Sequence, residues 1–156
     1  MKIIAANRKA RRDYELLETY EAGIELKGTE VKSLRTRGCS IEEAFGRIEN
    51  GEIFIYNLNI PEYEKSFYFR ASPKRIRKLL LHKKEINRLI GLTTQKGLTI
   101  VPTKIYFNDK NFVKIEIALA KGKLLYDKRR KIKEELVDRE AKREMKRFNQ
   151  RNRRTN

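Results

Sequence analysis

The sequence predicts a mainly β fold with embedded helices: a small antiparallel barrel that ends in a basic C-terminal tail. Three observations predict it. Apolar and polar residues alternate along several stretches, the period of a half-buried strand; the clearest are Tyr14–Leu26 and Val113–Leu119. Turn signals separate these stretches, above all Asn50-Gly51. Charge then shifts along the chain. Residues 1–120 carry 23 Lys/Arg against 15 Asp/Glu, whereas residues 121–156 carry 15 against 6. Residues 1–122 are therefore expected to form the barrel with an N-terminal arm. Residues 123–156 are expected to be disordered when free and helical when a polyanion neutralises them.

Taken in order, residues 1–12 hold Lys2, Arg8, Lys9, Arg11 and Arg12 without an acid. They read as a phosphate-contacting arm. Along the next stretch Tyr14, Leu16, Tyr20, Ala22, Ile24 and Leu26 share one face of a long strand. Glu15, Thr19, Glu21 and Glu25 share the other, and Leu17 is an exception. Gly23 is the expected site of a bend or bulge. On pattern alone, Glu21 reads as a solvated strand carboxylate. Gly28–Gly38 reads as a short helix, with Thr29 as a cap, Glu30 at the positive end and Gly38 as a left-handed stop.

A hairpin follows, Phe45–Ile48 and Ile53–Leu58 around Asn50-Gly51, with Pro61 breaking the pairing. Ser66–Arg70 is a further strand candidate. Residues 65–88 hold nine bases (Lys65, Arg70, Lys74, Arg75, Arg77, Lys78, Lys83, Lys84, Arg88) and one acid, Glu85. That ratio reads as an RNA-facing patch, with His82 inside it. Ile86, Leu89, Ile90 and Thr93 then follow a helical period that Gly97 ends, although Gly91 lies within it. Leu98–Phe107 and Phe112–Ala120 form the last hairpin around Asn108–Asn111, with a bulge or edge at Pro102. About six short strands with Gly/Asn turns and two helices point to a small barrel like the OB fold. In the tail, Ile132, Leu136, Val137, Ala141, Met145 and Phe148 make only a thin helical stripe.

The net charge of +17 calls for a polyanionic partner, nucleic acid before an acidic membrane surface. No apolar run approaches the ~20 residues that span a bilayer, and the first residues lack a signal-peptide core, so a cytoplasmic protein is expected. Cys39 and His82 are the only residues of their kinds, which excludes an intrachain disulfide and a Cys/His zinc site. There is no phosphate-cradling Gly-rich loop and no nucleophile–His arrangement. Glu42-Glu43 reads as a solvated turn. No catalytic residue, metal or cofactor is expected.

Seven pieces occur together in order: Asn7–Ala10, Tyr20–Ile24, Gly28–Arg35, Arg77–His82, Lys96–Thr99, Ala118–Lys123 and Tyr126–Arg129. On these, from about Asn7 to Phe148, the chain resembles the SsrA-binding protein (small protein B) family, the bacterial partners of transfer-messenger RNA. The resemblance implies an OB-like barrel and a ribosome-rescue factor that is not an enzyme. It implies binding to the tRNA-like domain of transfer-messenger RNA, and action on stalled ribosomes with elongation factor Tu and, indirectly, alanyl-tRNA synthetase. The body would replace an anticodon arm, and the tail would enter the decoding centre and the empty mRNA path. By motif position, Asn7, Glu21 and Leu80 correspond to RNA-contacting residues, which changes the reading of Glu21. Arg8, Lys9, Lys74, Arg75, Arg77, Lys78 and His82 join them as the basic surface. Tyr126, Asp127, Lys128, Arg129 and Arg130 correspond to the decoding-centre segment; Tyr126 stands where some members carry His.

Overall fold

Strand β2 (Tyr14–Ile24) and strand β7 (Val113–Gly122) run antiparallel along almost their whole length in the computed structural model, which describes residues 1–64, 71–122, 139, 142, 143 and 145–147. The other elements are β1 (Lys2–Ala6), α1 (Arg8–Asp13), α2 (Gly28–Thr36), β3 (Phe45–Glu49), β4 (Glu52–Tyr56), β5 (Arg77–Leu80), α3 (Lys83–Lys96) and β6 (Thr99–Phe107). The seven strands of the described residues pair antiparallel in the order β1-β6-β3-β4-β5-β2-β7, and β7 also pairs with β6. Six strands thus close into a ring, with β1 on the flank of β6. This is the mainly β architecture with helices that the alternation predicts.

The ring encloses one apolar core. Ala22, Ile53, Ile55, Leu79, Ile100, Ile105, Ile115 and Ile117 meet in it with Leu34 of α2 and Leu89 of α3. The expected turns are present. Asn50 and Gly51 have φ of 51° and 75°, both positive as a two-residue hairpin loop requires. Gly97 ends α3 at φ 61°, and α3 runs unbroken through Gly91. The register of β6 shifts between Pro102 and Lys104, as Pro102 foretells.

Several expectations need correction. Residues 1–13 carry secondary structure that the sequence reading did not assign: β1 pairs with Lys104–Phe107 of β6, and α1 follows. The bulge of β2 lies between Leu16 and Glu18, not at Gly23. It switches the strand's parity, so Tyr14 and Leu16 leave the main core. They pack on a second small cluster outside the ring, made by Ala10, Val101, Ala118 and Ala120. The N-cap of α2 is Lys27; its backbone amide donates to the Glu30 carboxylate at 2.8 Å, while the buried Thr29 hydroxyl has no partner. Cys39 packs against the core, and burial pushes its thiol up to about 12 despite the charge of Arg77.

Contacts divide the chain into the units Met1–Gly122 and Lys123–Asn156. In the second, Arg139, Lys142, Arg143, Met145, Lys146 and Arg147 have helical backbone. The Ser66–Arg70 strand candidate, the Tyr126–Arg130 run and Lys65 lie outside the described residues.

Candidate nucleic-acid interface

Strand parity sorts β2, β7 and β6 into an inner and an outer face. With Ala22, Ile115, Ile117 and Ile105 turned inward, the outer face reads as three cross-strand rows. The first is Thr19, Ala118 and Val101. The second is Glu21, Glu116 and Lys104. The third is Leu80, Gly23, Lys114, Tyr106 and Ile3, which crosses from β5 to β1.

Helix α1 covers the first row and leaves the others open. Ala10 packs on Val101, Ala118 and Ala120. Asn7 is the N-cap that fixes this helix: its Oδ1 accepts from the Ala10 amide at 3.0 Å. Its Nδ2 donates to the carbonyls of Pro102 at 2.8 Å and Ile41 at 3.3 Å. Asn7 is buried and its amide is fully engaged, so the expectation of a direct RNA contact is corrected. It borders the outer face and holds α1 beside it.

The second row sets two carboxylates directly opposite each other, an arrangement that costs stability unless something offsets it. Hydroxyls from β6 do so. Tyr106 Oη donates to Glu21 Oε2, and Thr103 Oγ1 donates to Glu116 Oε2. Burial and then the Glu21 carboxylate push the Tyr106 phenol above its usual range, so it stays a proton donor at neutral pH. Lys104 Nζ lies 5.6 Å from the Tyr106 ring centroid. Glu21 itself is exposed, leaving its other oxygen toward solvent.

Leu80 ends the third row and is 47% exposed. Its side chain leans over Gly23: a Cβ placed on Gly23 would lie 3.2 Å from Leu80 Cβ. The absence of a side chain at 23 therefore lets Leu80 lie across the strand. Glu21 and Leu80, paired by resemblance alone, stand in adjacent rows of one open face.

The basic run of residues 65–88 does not form a single patch. Arg77 is fully buried; its guanidinium pairs with the Glu30 carboxylate and donates to the carbonyls of Leu58 at 2.7 Å and Pro73 at 3.1 Å. Arg75 holds the other Glu30 oxygen at 2.6 Å. Burial raises the pKa of Glu30, but the bonds from Arg75 and the Lys27 amide and the charge of Arg77 outweigh it, and the carboxyl is held below its usual range. Arg77 is therefore structural, which corrects its expected place in an RNA surface, whereas Arg75 is partly exposed beside it. Parity on β5 explains it: Arg77 shares the inner face with Leu79, while Lys78 shares the outer face with Leu80. Lys78 pairs with Glu52 at 2.9 Å and Arg88 with Glu18 at 2.5 Å, both at the surface. Lys74, Lys83, Lys84 and His82 are exposed, and the His82 amide donates to Glu85 at the start of α3. On α1, Arg8 is exposed and Lys9 pairs with Glu43 at 2.6 Å.

Four outer-face residues were missed in the sequence: Lys104, Tyr106, Phe112 and Lys114. Parity was the available signal. With Val113, Ile115 and Ile117 inward, Phe112 falls in phase with Lys114 and Glu116 and must turn outward.

Comparison with known proteins covers nearly the whole chain. A family model described as SmpB protein matches residues 4–147. An SsrA-binding protein of Thermosipho africanus is 57% identical over 147 residues, 94% of this chain and 99% of the relative. An SsrA-binding protein of Thermosipho melanesiensis is 60% identical over 139 residues, 89% and 95% of the two chains. A solved structure described as "tmRNA-SmpB: a journey to the center of the bacterial ribosome" is similar at a TM-score of 0.63 and 56% identity, covering 76% of this chain and 82% of its own.

Proposed function

The chain belongs to the SmpB protein family, and from that premise we propose that it is a ribosome-rescue factor that binds transfer-messenger RNA and brings it to stalled ribosomes. It works by binding and positioning, not by catalysis. The observation that carries the structural side of this reading is the open outer face, where Glu21, Leu80, Lys104 and Lys114 stand together on a body of net positive charge.

The chemistry of that face suits folded RNA. The lysines and Arg8 neutralise phosphates, and Lys74 and His82 extend the basic surface. Glu21, with one oxygen fixed by Tyr106, accepts from a ribose 2′-hydroxyl or a base amine. Leu80 packs against a ribose or an exposed base. Asn7 contributes through α1. The tRNA-like domain is the part of the RNA that fits this face in the proposal, with the body in place of an anticodon arm. The tail, through Tyr126, Asp127, Lys128, Arg129 and Arg130, enters the decoding centre and the mRNA path. Elongation factor Tu and alanyl-tRNA synthetase act on the same RNA, and the work is done in the cytoplasm. Among the described residues no helix is long and apolar enough to cross a membrane.

Competition binding tests the reading. The purified chain, bound to the tRNA-like domain, is challenged with an excess of unrelated duplex RNA of equal length. Retention of the tRNA-like domain is expected. Equal displacement by any duplex would reduce the protein to a general RNA binder and refute the proposal.

A further inference from the structure

Two of the large apolar side chains exposed among the described residues, Leu80 and Phe112, line one cleft. Phe112 is the larger of the two and is 63% exposed. Surface apolar residues scattered singly need no explanation, whereas two that flank one cleft on a strongly basic body do.

The backbone that carries Phe112 is tightly held. Asn108 Oδ1 accepts from the Lys110 amide at 3.0 Å and from the Phe112 amide at 2.9 Å. The Asn108 amide donates to the Phe112 carbonyl at 2.9 Å. Asn111 takes the left-handed conformation, at φ 63°, that turns the chain into β7. The β6–β7 hairpin tip is thus fixed while the ring at its end is free. Beside the ring is a cleft of about 290 Å³, lined by Phe112, Leu80, Val31, Leu26, Gly23 and Lys114. That volume lies at the small end for ligand sites and suits one flat ring system better than a helix or a strand. Lys110 sits in the tip and Lys114 on the cleft wall. Arg35, one turn after Val31 on α2, lies 5.7 Å from the Phe107 ring beside the tip. The acid of the tip, Asp109, is paired with the terminal amine at 2.9 Å.

We infer that Phe112 is a stacking platform for one unpaired base of the bound RNA, which enters the cleft between Phe112 and Leu80 while Lys110, Lys114 and Arg35 hold its phosphates. The inference rests on the proposed RNA-binding function and adds a contact outside the residues assigned to it. A rigidly presented aromatic ring flanked by cations is the common device for holding a splayed base. A partner protein is the less favoured occupant, because Lys110, Lys114 and Arg35 make the rim cationic and the acid of the tip, Asp109, is paired with the terminal amine.

Two variants of the full chain test this. Phe112→Ala is expected to weaken binding of the tRNA-like domain by about 5- to 160-fold, the range of one lost stacked base. The slope of log affinity against log salt is expected to stay parallel to that of the unsubstituted chain, since the ring neutralises no phosphate. Phe112→Trp is expected to keep the affinity. The chain has no other tryptophan, so its emission reports this site alone and is expected to be quenched as RNA saturates. If Phe112→Ala binds as tightly as the unsubstituted chain, or if the Trp emission is unmoved by saturating RNA, the platform is refuted while the RNA-binding function stands. If the unsubstituted chain fails to bind the RNA, both fall.

Discussion

Replacing Arg77 by Met should destabilise the body severely and should affect RNA binding only through that loss. Met fills a similar space with an apolar chain, and it abandons Glu30, which is 3% exposed, to Arg75 alone. Removing one partner of a buried ion pair costs about 3–5 kcal/mol, because the charge left behind cannot regain its hydration. A body of this length has about 6–18 kcal/mol of total stability, so a large part of it is at stake. With a urea m-value of about 2 kcal/mol/M, the unfolding midpoint should fall by about 2 M. Glu30→Gln tests the same bond from the other side, and the double variant should cost less than the two single costs added. The pH dependence has a definite sign. The folded-state pKa of Glu30 is depressed, so its contribution is fully present above the unfolded value of about 4.5 and is lost as pH falls through the folded value. Glu30→Gln should flatten that acid limb. Urea melts of each variant between pH 3 and 7 make the measurement. An Arg77→Met protein that melts like the unsubstituted chain yet fails to bind RNA would overturn the burial argument and return Arg77 to the surface.

Three further outcomes are expected. Affinity for the tRNA-like domain should fall by roughly tenfold or more between low and moderate salt as released counterions are recaptured; a flat titration would remove the electrostatic interface. Leu80→Asp should weaken RNA binding while circular dichroism and the melting midpoint stay near those of the unsubstituted chain, since the side chain is already 47% exposed; an unfolded variant would make Leu80 a core residue. Asp127→Ala with Lys128→Ala and Arg129→Ala should leave RNA binding nearly intact in a gel shift but abolish peptide tagging in a reconstituted stalled-ribosome assay. Parallel loss of both activities would sink the division of labour between body and tail.

The elements legible in the sequence were those whose signals are local. Asn50-Gly51 needs only its own positive φ values, and Gly97 only its stop, so both fell where expected. The pattern of β7 was legible because ten residues display its parity. The four residues of β5 display too little of theirs, and Arg77-Lys-Leu-Leu80 looks like two charges followed by two apolar residues. What sorts it is Glu30, 47 residues upstream, which makes Arg77 an inward residue. The bulge after Leu16 was equally hidden, because the alternation of burial continues across it while the surface being covered changes from α1 to the ring interior. Asn7 carried an ordinary capping signal, but no acid in the first turn of α1 reinforces it, and six residues are too few to show a helical period. Glu21 and Leu80 could be brought onto one face only by the pairing of β2 with β5, which no local pattern announces.

The pairing of β2 with β7 also has a meaning in time. Gly23 lies beside Lys114, yet about three quarters of the body is synthesised between them. A chain made from its N-terminus can close the β3–β4 hairpin early, within microseconds of its appearance. The apolar stripe of β2 must wait for its neighbour, and the entropy of closing so long a loop is lost before any contact repays it. The outer face is built from β2, β7 and β6, the earliest long strand and the two latest. A nascent or broken chain that stops short of β7 therefore has no face to offer. Competence to bind appears in one late step, when the ring shuts, and an unfinished copy of the protein should not compete with finished ones for the RNA.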